Sequence, residues 1–583
     1  IAVLTQRLKR DADDLSERWL LNLAYMTLGE YPEAVPRKWL IPPEVFESEY
    51  PMKRFVDVSG QMNANVLGLA GGVALEDFDG DGLLDIITSS WGLRDQLRYL
   101  HNAGDGSFSD RTEAAGLSGE VGGLNLSHAD YDNDGDADVL VLRGGWLGAA
   151  GAFPNSLLRN EGDGTFTDIT EAAGLLAFHP SQTAAWADYD GDGWLDVFVG
   201  GETLDPADPQ PCQLFHNNGD GTFSDRAVEL GLANLGFVKG AAWGDYDNDG
   251  RPDLYVSRMG APNLLFRNDG PRTEADGPPW RFGEVSRPAG VREPRLSFPT
   301  WFWDYDNDGW LDIFVGAWDA ASIGQVAAGY LGLPISNEHP RLYHNERDGT
   351  FRDVTAELKL DRALLAMGAN FGDIDNDGFL DLYLGTGAPE LSTLMPNRMF
   401  RNAEGRVFQD VTTAGGFGHL QKGHGIAFGD IDNDGDQDIY AVMGGWYSGD
   451  AFQNVLFANP GTPNRHITLR LRGVSSNRSA VGARIELIVA TKDGERHIHR
   501  TVGTGGSFGS SSLQQEIGLG AAESIVALKV RWPASGKTQV FTDVPLDRVF
   551  AIREDSNTLE PISTRPIPLE GGTAQRPSVG AGE

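Results

Sequence analysis

Seven times the sequence repeats one chemical pattern, Asp-x-Asp-x-Asp-Gly-x-x-Asp, which places four carboxylates within nine residues. The copies are Asp77, Asp79, Asp81 and Asp85; Asp130, Asp132, Asp134 and Asp138; Asp188, Asp190, Asp192 and Asp196; Asp245, Asp247, Asp249 and Asp253; Asp304, Asp306, Asp308 and Asp312; Asp373, Asp375, Asp377 and Asp381; and Asp430, Asp432, Asp434 and Asp438. Clustered carboxylates repel one another and resist burial unless a cation neutralises them. A glycine at position 6 turns the chain so that positions 1, 3 and 5 face inward, and a backbone carbonyl at position 7 completes an oxygen shell of the kind Ca²⁺ takes. Mg²⁺ demands stricter octahedral geometry and keeps its waters. Zinc or copper would call for His or Cys in the set, and none recurs inside the nine-residue pattern. The expectation is about seven structural Ca²⁺ ions, held in shells the chain itself saturates, with stability that depends on calcium. Solvated acidic turns without an ion are the competing reading.

Charge and composition agree with this. The formal net charge is -37, and seven divalent ions would reduce it to about -23. Such a field excludes nucleic acid, whose phosphates need a basic footprint, and disfavours an anionic membrane surface. No apolar run approaches the roughly 20 residues that span a bilayer. The single cysteine, Cys212, allows no disulfide within the chain, which is compatible with a cytosol or a bacterial periplasm. Ile1 in place of an initiating Met leaves room for an upstream signal or anchor outside this chain.

The elements that position the acidic loops can be read from their flanks. The first aspartates lie 53, 58, 57, 59, 69 and 57 residues apart, a near-constant period that marks a repeat architecture. Before each loop runs a short apolar stretch such as "TAAWADYD"; after it runs another such as "LDVFVG" or "LDLYLG". Both have strand length and strand residues. A second signature follows, ending in Asn: "YLHNAGDGSF", "LLRNEGDGTF", "LFHNNGDGTF", "LFRNDG", "LYHNERDGT", "MFRNAEGRVF" and "LFANPG". Its Asp-Gly pair is a hairpin turn. Four strands per repeat, seven repeats, predict an all-β, seven-bladed β-propeller over residues 51–463. The seventh copy lacks its last strand, and the matching segment 55–59 ahead of the first loop is expected to complete it, leaving no exposed edge.

Three further segments frame the repeats. Residues 1–50 place Leu4, Leu8, Leu15, Trp19 and Leu23 at helical spacing. They predict a short helical segment, packed on the repeats or the remnant of a longer helical region. Residues 464–555 read as about six strands with Gly-rich turns, a small β-sandwich-like domain. Residues 556–583 are rich in Pro, Gly, Ser and Thr and read as a disordered tail.

The acidic loops all leave one face of the ring, so irregular loops on the opposite face are where recognition is expected. Candidate ligand-binding residues there are Trp91, His128, Trp146, His179, Lys239, Trp318, His424 and Trp446. They would form a bowl with aromatic walls and basic groups near its centre. Trp186 and Trp243 read instead as packing between blades. The longest interval carries "GAWDAASIGQVAAGYLGLPISNEHP", an inserted helix or lid. One Gly-x-Ser-x-Gly match, at Gly505–Gly509, is followed by strand-like "SSLQQEIGLG", whereas a nucleophile elbow needs a helix there. Ser507 is therefore read as part of a glycine-rich turn, and no catalytic residue is identified.

The Asp loops between apolar strands resemble FG-GAP or VCBS-type repeats of calcium-bearing propellers, including integrin α-subunit ectodomains. "SSNRSAVGARIELIVA", "GSFGSSSLQQEIGLG" and "VRWPASGKTQVF" resemble the ASPIC/UnbV domain. Together they are similar to the cartilage acidic protein 1 family and its bacterial relatives, and "WLLNLAYMTLGEYPEAVP" resembles the edge of a tetratricopeptide-type region. The resemblance implies an exported calcium-binding protein of binding or adhesive character. With one cysteine and no cysteine-rich calcium module, the vertebrate matrix role does not carry over, and a secreted or periplasmic bacterial setting is expected. Two functions stay open. One is a calcium-stabilised binding module for a glycan, a protein or a small amphipathic molecule. The other is an enzyme on the opposite face or at the junction with the C-terminal domain.

Overall fold

The structure, a computed structural model, describes residues 1–272, 280–319 and 323–567. The protein is an all-β, repeat-rich chain with short N-terminal helices. Seven four-stranded antiparallel sheets follow one another between residues 56 and 458. Their first strands are Val73–Glu76, Asn125–Ala129, Ser181–Ala187, Val238–Gly244, Ser297–Trp303, Ala366–Gly372 and Gly423–Gly429. Each acidic loop joins its first strand to a second that begins on the ninth-position aspartate, as in Asp85–Thr88 and Asp438–Met443. These second strands are wholly buried Val, Ile, Leu and aromatic runs, the pattern of strands covered on both faces.

Neighbouring sheets share apolar layers, and first strands touch in succession from Val73–Glu76 onward. Gly423–Gly429, the last of them, touches Val73–Glu76 again. One apolar layer joins Val73, Leu75 and Ile86 of the first sheet to Ala427, Tyr440 and Val442 of the seventh. The N-terminal strand Val56–Asp57 pairs antiparallel with Phe457 and Ala458 and supplies the seventh sheet's fourth strand, as the sequence predicts.

Helices Ala2–Arg10 and Leu15–Thr27 form, the second capped by the Asp14 carboxylate, which accepts the Ser16 and Glu17 N–H groups. They do not stand alone. Trp19 and Leu23 pack with Ile323, Val326 and Ala327 of the helix Ile323–Tyr330, which lies in the long insertion. The insertion thus receives the N-terminal helices.

Beyond residue 464 two four-stranded sheets share one core, with Ile467, Leu469 and Ile552 on one and Ile485, Leu487, Leu528 and Val530 on the other. The stretch 556–583, expected to be disordered, contributes a strand, Glu560–Ile562, paired antiparallel with Val549–Ala551. The remainder of that tail, 568–583, lies outside the described residues.

Candidate functional site

The acidic loops owe their shape to two left-handed positions. Position 6 is Gly throughout, with φ between 84° and 113°. Position 4 is Asn in five copies (Asn133, Asn248, Asn307, Asn376, Asn433) and Gly80 or Gly191 in the others, also at positive φ. Only Gly and, at modest cost, Asn occupy this region readily. The position-1 carboxylate then accepts the position-6 N–H: Gly82 to Asp77, Gly193 to Asp188 and Gly378 to Asp373 are each 2.8–2.9 Å.

Position 9 is a hub. Its carboxylate accepts the N–H of the signature Asn on the third strand, as from Asn160 to Asp138 at 2.9 Å and Asn402 to Asp381 at 2.7 Å. The same Asn side chain donates to a carbonyl of the previous repeat's loop: Asn160 to Phe78, Asn217 to Tyr131, Asn268 to Tyr189, Asn345 to Tyr246, Asn402 to Tyr305 and Asn459 to Ile374. Asn102 of the first sheet donates to Ile431 of the seventh. The recurring Asn is therefore the polar link between successive loops.

The loops fit a hard cation on one direct test. Buried carboxylate oxygens without a hydrogen-bond partner occur at Asp77, Asp132, Asp190, Asp245, Asp306 and Asp375, one in each of the first six loops. An orphaned anionic oxygen is costly unless an ion meets it. Burial pushes Asp77 up to about 6, Asp130 to about 7 and Asp188 to about 8, so without positive charge these sites favour protons. Several clusters of Asp, Glu and His can hold a divalent ion, among them Asp130, Asp132 and Asp138. A divalent ion held among these carboxylates would supply the charge they lack.

Histidine does recur beside the loops, because the residue before the signature Asn reaches back over the carboxylates. His101, His216 and His344 join the first, third and fifth loops. The "HN" dipeptides in "YLHN", "LFHN" and "LYHN" carry that signal, 16 to 32 residues beyond the last aspartate of each loop.

The C-terminal sheets sit on the acidic-loop face. Arg470 donates to the Gly82 carbonyl at 3.1 Å, the Arg478 N–H to Asn133 at 2.7 Å and the His499 N–H to Asn307 at 2.9 Å. Arg484 donates to Asn248 and the Asp245 carbonyl, Arg496 donates to the Asp377 carbonyl at 2.7 Å, and Glu516 accepts the Asp430 N–H at 3.0 Å. Between these sheets and the first strands lies a cavity of about 270 Å³ lined by Trp186, Trp243, Phe302, Arg484, Arg500 and Trp532 among others.

From the same side the Gly505–Ser512 segment runs in among the first strands. Ser507 exchanges backbone hydrogen bonds with Ala369, and Ser510 with Val73 and Leu75. A Cβ on Gly506 would meet the Ala369 carbonyl at 2.3 Å, and one on Gly509 the Ile426 N at 2.4 Å, so the glycines are required by close approach. Ser507 belongs to this insertion and is buried.

At its tip Phe508, only 1% exposed and at φ 73°, packs with Ala70, Leu124, Phe298 and Met367. Partly buried Trp91, Trp146 and Trp318 close over the same cluster. The sequence reading of an open bowl is thus replaced by a filled centre. Trp91 stacks on Trp446 at 3.8 Å, Trp318 donates to the Gly387 carbonyl, and the His424 ring lies 6.2 Å from Phe508. Lys239 is fully buried, 2.6 Å from Glu202 and 3.3 Å over the Trp146 ring. His128 is buried beside Glu76 on the loop side, and His179 stands apart, near Gln210. Nothing in the sequence signals the insertion, because a glycine-rich turn and a threaded segment have the same composition.

Residues 473–559 match the ASPIC and UnbV family, and 77–141, 147–199, 206–256 and 304–384 match the FG-GAP-like repeat. Human cartilage acidic protein 1 is 24% identical over 543 residues, covering 88% of this chain and 76% of the relative; the mouse protein is 23% identical, covering 81% and 71%. A Xenopus tropicalis counterpart is 29% identical over 171 residues, 28% of this chain and 25% of its own. These relatives are vertebrate, which overturns the expectation of a bacterial, periplasmic protein. Among solved structures, BBS1N in complex with ARL6DN has a TM-score of 0.39 at 11% identity, covering 70% of this chain and 99% of that one. The Aleuria aurantia lectin has a TM-score of 0.33 at 10% identity, covering 58% and 94%.

Proposed function

For a chain that belongs among the homologues of cartilage acidic protein 1, with FG-GAP-like repeats followed by an ASPIC and UnbV segment, we propose a calcium-stabilised binding module. In this reading residues 51–463 form a closed seven-bladed propeller with a Ca²⁺ in each acidic loop. Residues 464–555 form a domain seated on the loop face, and the opposite face meets a partner. The return of the first-strand contacts to Val73–Glu76 and the Asn102–Ile431 link support closure. The orphaned loop oxygens support the ions.

The observation that carries the binding role is the opposite rim. Its centre is filled by Phe508, yet the loops after the second strands expose Leu93, Leu204, Leu391 and Tyr447, each more than 40% accessible. Large apolar side chains held out on rigid loops around a solid floor suit a protein or glycan surface better than a small molecule. With Ca²⁺ as the only metal offered, calorimetric titration is expected to give up to seven ions per chain, and fewer than four would sink the metal half. Binding of the labelled protein to glycan and protein arrays is expected to vanish in the L93S/L204S/L391S/Y447S variant. Binding that survives that change would sink the rim. A second reading, an enzyme at the junction, draws on the 270 Å³ cavity and on Trp186, which lines it with an unpartnered indole N–H. Turnover of a small molecule seated there would move the assignment.

A further inference from the structure

The residue that precedes the signature Asn alternates along the chain: His101, Arg159, His216, Arg267, His344, Arg401 and finally Ala458. In the odd loops the imidazole takes the same place three times, with Nδ1 between the carboxylates of positions 3 and 9. His101 Nδ1 lies 3.1 Å from Asp79 and 3.3 Å from Asp85. His216 Nδ1 lies 3.5 Å from Asp190 and 3.0 Å from Asp196. His344 Nδ1 lies 3.6 Å from Asp306 and 3.4 Å from Asp312. In the sixth loop the equivalent Arg401 pairs instead with positions 3 and 5, Asp375 and Asp377, at 2.5 Å.

Proximity alone would be a carboxylate orienting a histidine, but two observations go further. His101 is 6% exposed, and its Nδ1 has no hydrogen-bond partner of good geometry despite two carboxylate oxygens within 3.3 Å; the same nitrogen of His344 is also orphaned, while that of His216 is hydrogen-bonded to Asp196 at 3.0 Å. Moreover, two ligands each about 2.1 Å from one ion, at angles between octahedral and tetrahedral, stand ~3.0–3.4 Å apart. The six measured separations span 3.0–3.6 Å. The same angles around Ca²⁺, at about 2.4 Å, give ~3.4–3.9 Å, a range that takes in the three longest separations, so the choice of metal rests on ligand chemistry. An imidazole is also a poor ligand for Ca²⁺ and a good one for first-row transition ions.

We propose that the three loops bearing His101, His216 and His344 are mixed nitrogen–oxygen sites for a first-row divalent transition metal. In these three loops the transition ion would displace the calcium that fills them otherwise, while the remaining four keep calcium. This deepens the cation-binding reading and rests on it. The test is to load the full chain with Mn²⁺ in the presence of excess Ca²⁺, remove weakly held metal, and count both ions. Pulsed electron paramagnetic resonance then reads ¹⁴N coupling at the retained manganese.

Three retained Mn²⁺ per chain with directly bound ¹⁴N are expected. H101Q, H216Q and H344Q should each lower the count by one, and the triple variant should retain none while binding calcium as before. Mn²⁺ retained without ¹⁴N coupling, or counts indifferent to the three substitutions, would overturn the proposal and leave the calcium reading standing. A chain that holds three Mn²⁺ but no Ca²⁺ in the other loops would retain the mixed sites and sink the calcium reading instead. The single variants keep the test decisive if the triple variant fails to fold.

Discussion

The two faces of the repeat region are built on opposite rules. On the loop face every copy has the same backbone, the same two left-handed positions and the same Asn link, so one repeat describes all seven. On the other face no two loops match, and what fills the centre comes from more than 400 positions beyond the first loop, at Phe508. Regularity came from short-range chemistry that each repeat carries within itself. The irregular face was completed by a distant segment.

The two faces should therefore fail differently. Metal removal acts on all repeats at once, since each occupied site held at a hundredfold its Kd contributes about 2.7 kcal/mol. Excess chelator is expected to lower the melting temperature by more than 15 °C in calorimetry. A shift of a few degrees would mean that the loops hold their shape without ions. Phe508→Ala strikes the other face alone. It should cost about 3–5 kcal/mol, the usual range for emptying a buried Phe site, while leaving the calcium count unchanged. Denaturant unfolding and calorimetric titration on one sample would check both halves. Loss of ions along with stability would show that the faces are coupled.

A third change separates the faces by pH. Burial, with Lys422 nearby, depresses His424 to about 3, so the folded protein holds this ring neutral while the unfolded chain protonates it near 6.5. The unfolded state then binds the extra proton, and stability present above pH 6.5 falls away as pH drops toward 3. At pH 4 the loss is up to about 3 kcal/mol. His424→Phe should flatten that limb when unfolding is followed from pH 7 to pH 4, and an unchanged slope would exclude this origin. The smallest effect is expected at the rim. Tyr447, 52% exposed, should change stability by less than about 0.5 kcal/mol when replaced by Ser, yet weaken partner binding.

What was legible in the sequence follows the same division. Spacing of the acidic pattern and its apolar flanks places all seven sheets, and the homologous segment 55–59 finds the strand that completes the last one. The position-1 to position-9 carboxylates fall where a nine-residue turn must put them. The histidines of the odd loops escaped because a hairpin brings them back across 20 or so residues of sequence to Asp85, Asp196 or Asp312. Trp91, Trp146 and Trp318 gather around Phe508, with Trp446 stacked on Trp91, and the sequence gives no sign of that partner. No local property of "GTGGSFGSS" distinguishes a surface turn from a segment that hydrogen-bonds to Val73, Ala369 and Ile426. Docking of the C-terminal sheets on the acidic face left only a hint, the arginines scattered from 470 to 500.

The pairing of Val56 with Ala458 sets a timetable. During synthesis the N-terminal strand emerges early and must wait for roughly 400 further residues, about 20–80 s at ordinary elongation rates. For that interval six sheets can assemble in order, while the edge destined for the seventh has no partner. A newly made chain thus spends that interval with the Val56–Asp57 strand unpaired, and crowding by a second nascent copy offers the seventh sheet's edge a stranger's strand. Expression conditions that slow translation near the seventh repeat should favour exchanged dimers over monomers.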